Sequence, residues 1–363
     1  MNKTHFLAKA LLLMVFMGCL SHCSRTYPKT LVTIEDGQFY INGELTYKDR
    51  YWEGNKIEGL LMNSRMVQGI FDDLNPETVK NFGYPDTQKW DADRNTDEFV
   101  SAMEDWKKHG LLAFSLNLQG GSPLGYGNHG WINSTFDEKG NLRPAYIKRL
   151  TQILDRANEL GMVVILGYFY FGQDQYLEDE KAILNATDNI TRWILEKGYQ
   201  NILIEINNEC NGPYDHEILT CSRVHELVQR AKKLGGENLL VGTSYGGGVI
   251  PQQNVLQVSD LVLIHGNGVD EPSGITKMVR KTKNVTGYSG QPILFNEDDH
   301  FNFDADDYNF KSAIESYTSW GYFDYRMSGE GFEDGFQSIP VDWGINSTRK
   351  KAFFKKLKEI TGY

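Results

Sequence analysis

The chain has 363 residues, 40% of them hydrophobic and 23% charged, with a formal net charge of -11. That length supports a large core within one domain, and the negative balance excludes a polyanionic partner such as nucleic acid. The 19 Tyr, 19 Phe and 7 Trp provide core packing and, in a sugar site, stacking faces.

Lys3 and Lys9 flank the start of an apolar run, Ala10–Met17. The run is too short to span a membrane and is patterned as an export signal. Leu20-Ser21-His22-Cys23 resembles a bacterial lipoprotein cleavage box, and Phe16-Met17-Gly18-Cys19 is a rival box. The expectation is a lipoprotein-type signal peptide over 1–23 with Cys23 as the lipid anchor. The protein would then be exported and tethered to the cell envelope without a spanning helix. An ordinary cleaved signal is the alternative. Five Asn-x-Ser/Thr sequons, at Asn133, Asn185, Asn189, Asn284 and Asn346, are read as chance in such a protein.

Residues 24–56 read as a polar tether and a β-hairpin cap. Asp36-Gly37 and Asn42-Gly43 punctuate the short apolar runs Leu31–Ile34 and Gln38–Ile41, which is a strong hairpin signal. From residue 57 to 363, eight apolar strands alternate with amphipathic helices. The strands are expected at Gly59–Met62, Leu111–Leu118, Met162–Phe169, Ile202–Ile206, Asn238–Gly242, Leu261–Ile264, Ile293–Phe295 and Gly321–Tyr325. Gly110, Gly161, Gly198, Gly235 and Gly321 mark helix ends. The unit between the fifth and sixth strands has room for little helix. This pattern predicts an α/β fold, a TIM (β/α)8 barrel, with a doubly wound open sheet as the runner-up. No Gly-x-Gly-x-x-Gly follows the first strand, so no dinucleotide cofactor is expected.

The fourth strand carries the chemistry: Ile202-Leu203-Ile204-Glu205-Ile206-Asn207-Asn208-Glu209. Period 2 puts Glu205, Asn207 and Glu209 on one face, and buried carboxylates need a partner or a use. Pro292-Ile293-Leu294-Phe295-Asn296-Glu297 is a second strand ending in Glu, the seventh of the series. Three β/α units separate the two glutamates, so a barrel sets them across one mouth. One can protonate a glycosidic oxygen while the other attacks the anomeric carbon, which retaining chemistry does at about 5–5.5 Å separation.

These residues resemble the clan A retaining glycoside hydrolases, the superfamily of the family 5 cellulases and mannanases. Glu205-Ile206-Asn207-Asn208-Glu209 matches the strand-four Glu-x-x-Asn-Glu signature, and Glu297 fits the strand-seven glutamate. The resemblance implies Glu209 as general acid/base, Glu297 as nucleophile, and Asn208 bonded to the sugar 2-hydroxyl. It implies a retaining hydrolysis of a β-linked oligo- or polysaccharide, and the Glu209 pKa is expected to be raised when the nucleophile is charged. Three departures stand out. Cys210 replaces the usual Pro, the second strand lacks its usual Arg, which leaves Arg65 to serve, and the strand-six His-x-Tyr appears as His265-Gly266-Asn267.

Each candidate also has a structural reading. Glu209 can cap a helix, Glu297 can pair with Arg65 or His300, and His265 can be a core histidine. Arg65, Asn117 and Tyr245 are chosen for position near strand ends, and Trp343 and Trp131 as platforms or as packing. Glu330 is the reserve nucleophile. Cys210 and Cys221 are either bridged or two free thiols. Glu297-Asp298-Asp299-His300 is not a ready metal set, and no His-x-His strand or His-Glu-x-x-His helix occurs, so neither metal nor cofactor is expected. The alternatives are a silent carbohydrate-binding lipoprotein on the same barrel, or a metal-dependent barrel hydrolase.

Overall fold

A computed structural model describes residues 29–126, 129–236 and 239–363. The segment read as an export signal, with Cys19 and Cys23, lies outside the described residues. Among the described residues no helix is long and apolar enough to cross a membrane.

The described chain opens with β1 (Val32–Glu35), β2 (Gln38–Ile41) and β3 (Glu44–Leu45), paired antiparallel, then a small ladder of β4 (Tyr51–Trp52) and β5 (Asn55–Lys56). Asp36 and Asn42 take φ of 52° and 55° in the two turns, the left-handed region that Asn and Asp tolerate. Val32 N–H donates to the Gln200 carbonyl and Tyr47 Oη–H to the Gly110 carbonyl. Both acceptors precede strands of the main domain, so the cap covers the end opposite the strand tips.

Eight β/α units follow: β6 (Asn63–Arg65), α1 (Ala92–Lys108), β7 (Ala113–Asn117), α2 (Pro144–Leu160), β8 (Val163–Tyr170), α3 (Glu180–Lys197), β9 (Ile202–Asn208), α4 (Val224–Gly235), β10 (Leu240–Gly242), α5 (Gln253–Leu256), β11 (Val262–His265), α6 (Pro272–Lys283), β12 (Ile293–Glu297), α7 (Asn309–Glu315), β13 (Gly321–Tyr322) and α8 (Thr348–Thr361). The order β10-β9-β8-β7-β6-β13 is one parallel sheet, and β11-β12 is a parallel pair. Bridges Leu294–Ser319 and Asp298–Tyr322 join the pair to β13. The step from β10 to β11 is joined by Asp260 N–H donating to the Val241 carbonyl.

The longer strands are rich in apolar residues and covered on both faces; every residue of β8 is buried. The helices bury one stripe, as Tyr146, Leu150, Ile153, Leu154 and Ala157 do in α2. Pro144 starts that helix, and Gly161, at φ 66°, ends it. The fifth helix is a four-residue piece. Some boundaries differ from expectation. The first barrel strand starts at Asn63 rather than Gly59, because Gly59 turns the chain at φ 83°. A 3-10 turn at Glu217–Leu219 precedes α4. Gly321 begins a strand and caps no helix.

Candidate active site

The C-terminal strand ends surround a cleft of 360 Å³ whose walls include Ser122, Tyr126, Trp131, Tyr170, Phe171 and Tyr176, with Asn208, Glu209, Pro213, Glu297 and Gln337. Larger hollows of 590 and 570 Å³ lie elsewhere and contain neither glutamate.

Two backbone irregularities aim the carboxylates. In β9 the alternation fails at its end: Glu209 takes φ 54°, a conformation uncommon for a residue with a Cβ. Asn207 turns away, donating to the Leu219 carbonyl and accepting from Thr243 Oγ1, so Asn208 rather than Asn207 lines the cleft. In β12 the register with β11 shifts, pairing His265 with Glu297 and leaving Asn296 extra. Bulges re-aim side chains in this way. Asn296 donates to Glu205 Oε1 at 3.2 Å, and Glu297 faces the cleft beside it.

His265 connects the glutamates. Its Nδ1 lies 2.8 Å from Glu209 Oε1 and 3.6 Å from Glu297 Oε2. One oxygen of each glutamate and a ring nitrogen of His265 all lie within 4.8 Å of one another. Arg65, on β6, sets Nη1 2.9 Å from Glu297 Oε2 and donates from Nε to Gln337 Oε1 at 2.8 Å. Asn267 donates from Nδ2 to Glu297 Oε1 and to Tyr126 Oη.

The protonation pattern follows from these contacts. Burial pushes the Glu209 carboxyl up, but the His265 hydrogen bond and the His265 and Arg65 charges outweigh it and hold it below its ordinary 4.5. That reverses the raised pKa expected for Glu209. Burial holds Glu297 above 4.5 despite Arg65 and His265. Burial also opposes the His265 imidazolium, yet Glu297 and Glu209 outweigh it and raise the group above 6.5. His265 Nδ1 and Glu209 Oε1 share one hydrogen bond across 2.8 Å, a contact along which a proton can pass. Burial pushes Tyr170 up to about 12, so its hydroxyl stays a donor.

Arg65, Asn208, Glu209, His265 and Glu297 thus come together, with Trp131 in the wall. Four other candidates lie elsewhere. Trp343 is buried, stacked on Phe336 at 6.1 Å with its indole N–H on Asn95 Oδ1, so it packs the loop onto α1 and offers no platform. Tyr245 is buried and accepts from the Gln252 N–H. Asn117 is buried at the end of β7 and is not among the cleft residues. Glu330 is tied to Arg349. Gln337, Tyr126 and Tyr176 were not anticipated. They sit after β13, β7 and β8, and no spacing marks them.

Glu209, His265 and Glu297 offer atoms to a cation, but Arg65 already places a positive charge against Glu297, and a divalent ion would be repelled by it. The Asp298-Asp299-His300 group is no better suited: Asp298 already accepts from Trp320 Nε1, His300 Nδ1 and Asn309 Nδ2. The sulfurs of Cys210 and Cys221 are bonded as a disulfide.

No family model matches this sequence, and no curated protein sequence matches it. Solved structures do match. A beta-mannanase from the blue mussel Mytilus edulis is similar at TM-score 0.56 and 10% identity, over 92% of this chain and 97% of that one. A family 5 mannosidase from Rhizomucor miehei is similar at TM-score 0.55 and 11% identity, over 92% and 98%. A broad specificity endoglucanase from Bacteroides salanitronis is similar at TM-score 0.54 and 12% identity, over 83% and 93%. The chain shares a TIM-barrel fold with these solved structures.

Proposed function

We propose that this chain is a retaining glycoside hydrolase that cleaves a neutral β-linked glycan. The observation that carries the reading is the placement of Glu209 and Glu297 at the cleft floor with oxygens within 4.8 Å. Retaining enzymes hold their carboxyl groups about 5–5.5 Å apart, whereas inverting ones leave roughly 6.5–9.5 Å for a water. Arg65 is engaged by Glu297 and Gln337, so a uronate would meet two carboxylates and an arginine that is already paired. A neutral sugar, stacked on Trp131, Tyr170 or Phe171, suits the walls better.

Glu297 attacks the anomeric carbon as the glycosidic C–O bond breaks. The proton held between His265 Nδ1 and Glu209 Oε1 passes through Glu209 to the leaving oxygen. Glu209, now ionised, then takes a proton from water, the water oxygen attacks the anomeric carbon, and Glu297 is released. Asn208 bonds the 2-hydroxyl. The export signal and the Cys23 anchor belong to the same proposal.

The test is proton NMR of the first-formed product during hydrolysis of β-glucan and β-mannan oligosaccharides. A β-anomer appearing first supports the reading. An α-anomer, or turnover abolished by a chelator, would overturn it.

The pH profile of kcat/KM gives a second check, since it reports the free enzyme. Glu297 must be ionised, so activity is lost as pH falls through a value above 4.5. The His265–Glu209 pair must hold one proton, so activity is lost as pH rises through a value above 6.5. His265→Asn keeps a donor but cannot store the proton. It should move the basic limb to lower pH and cut kcat roughly tenfold or more. A basic limb that stays in place would remove the proton from this pair.

A further inference from the structure

We propose that the Cys210–Cys221 disulfide is a positioning device for the reaction, holding the left-handed turn that presents Glu209 to His265 and to the cleft. The kinetic part of this inference rests on the glycosidase reading, and the geometric part does not.

Glu209 stands at φ 54°, where a side chain with a Cβ does not rest without support. Its own N–H donates to Ser244 Oγ at 2.9 Å, and the Cys210 N–H donates to the Ser244 carbonyl at 3.0 Å. The Gly212 N–H closes the turn on the Glu209 carbonyl at 2.6 Å. The chain then runs out along the cleft, where Pro213 forms wall and Tyr214 Oη–H donates to the Asn208 carbonyl. It returns at Cys221, whose N–H donates to the Cys210 carbonyl at 3.1 Å. The disulfide joins the two ends of this loop across 11 residues. One of those ends is bonded to Glu209.

The clan A resemblance would put Pro at position 210. Pro fixes φ but has no N–H, and here that N–H is engaged with Ser244. The cross-link therefore restrains the turn in a way that leaves the donor in place. Cys210 is 1% exposed and Cys221 8%, so the bridge belongs to the interior behind the cleft. A bridge that only stapled the chain would raise stability and leave Glu209 unaffected.

The readout is the titration of Glu209. Arg65 on β6, Tyr126 after β7, Tyr170 on β8, His265 on β11 and Glu297 on β12 face its carboxyl, and Tyr214 faces it from its own loop. The full chain is labelled with carboxyl-¹³C glutamate, and the Glu209 signal is assigned with Glu209→Gln. It is then titrated in the oxidised protein, in protein reduced by a phosphine, and in the double variant Cys210→Ala/Cys221→Ala. Without the bridge Glu209 loses its fixed contact with His265. Its midpoint should then move up, from below 4.5 in the bridged protein. kcat on an aryl β-glycoside should fall roughly tenfold to a hundredfold, with KM within about twofold. Equal titrations in bridged and unbridged protein would overturn the proposal and leave the bridge a staple. So would a shifted titration with unchanged kcat in an active enzyme. If wild type turns over no glycoside but the titration shifts, the glycosidase reading fails and the positioning role stands. Reduction keeps the test available if the double variant does not fold.

Discussion

Glu297→Gln should retain the fold at 25 °C and lose roughly 10⁴-fold or more in kcat, the scale seen when a covalent nucleophile is removed. The amide is close in shape to the carboxylate but cannot form the glycosyl ester. Arg65 would lose its nearest counter-charge while keeping Gln337 at 2.8 Å. Breaking one side of a buried pair costs about 3–5 kcal/mol, so Tm should fall as well. Circular dichroism at 25 °C separates that loss from unfolding. Glu297→Ala makes the sharper experiment. Added azide can enter the space of the missing carboxylate, attack the anomeric carbon of an activated aryl β-glycoside, and expel the phenolate. The product is an α-glycosyl azide. Wild-type activity in either variant would remove Glu297 from the chemistry, and an α-azide from Glu209→Ala instead would exchange the two roles.

The residues that can be placed from sequence are those whose role follows from local pattern. Pro144 and Gly161 bracket α2 because Pro is tolerated at the first helical turn and Gly accepts φ 66°. Glu209 and Glu297 end apolar strands, and parallel strands in a barrel direct their C-terminal ends to one mouth. Arg65 is chosen only for its position beyond the expected first strand, and the structure makes it the last residue of β6. What local pattern misses is where the period breaks. Strict alternation groups Asn207 with Glu205 and Glu209, yet the left-handed turn at Glu209 and the bulge at Asn296 rearrange both strand ends. A bulge is set by fit to a neighbouring strand, and period 2 has no term for it. Long-range partners are equally silent. Gln337 meets Arg65 across 272 positions, and nothing near residue 337 announces it. Trp343 has the composition of a sugar platform, but Phe336 and Asn95 decide that it is packing. The bridging of Cys210 and Cys221 was open for the same reason: pairing depends on where two distant backbones meet. The reversed pKa order comes from His265, whose Nδ1 reaches both glutamates only once β11 and β12 are in register.

Glu209→Ala should separate the two halves of the reaction by leaving group. With an unactivated disaccharide, the departing alkoxide needs the proton that passes from His265 through Glu209. General acid catalysis of this kind is worth about 10²–10⁴-fold, and kcat/KM should fall by that much. With a dinitrophenyl glycoside the leaving group departs without a proton, so kcat/KM should stay within about tenfold of wild type. The second half of the reaction still lacks its base, so the glycosyl ester on Glu297 accumulates. A burst of phenolate equal to the enzyme concentration should precede a slow steady state, and mass spectrometry should find the added sugar on the peptide carrying Glu297. Azide again speeds turnover, but here it attacks the ester from the face vacated by Glu209 and gives a β-glycosyl azide. The basic limb of the pH profile should disappear, because the His265 proton no longer has a carboxylate to cross. Equal losses on both substrates, with no burst, would mean that Glu209 holds the site in shape without transferring a proton. The lowered Glu209 pKa would then describe a structural ion pair with His265. A leaving-group split with a burst would mean that the pair stores the proton and releases it when substrate fills the cleft.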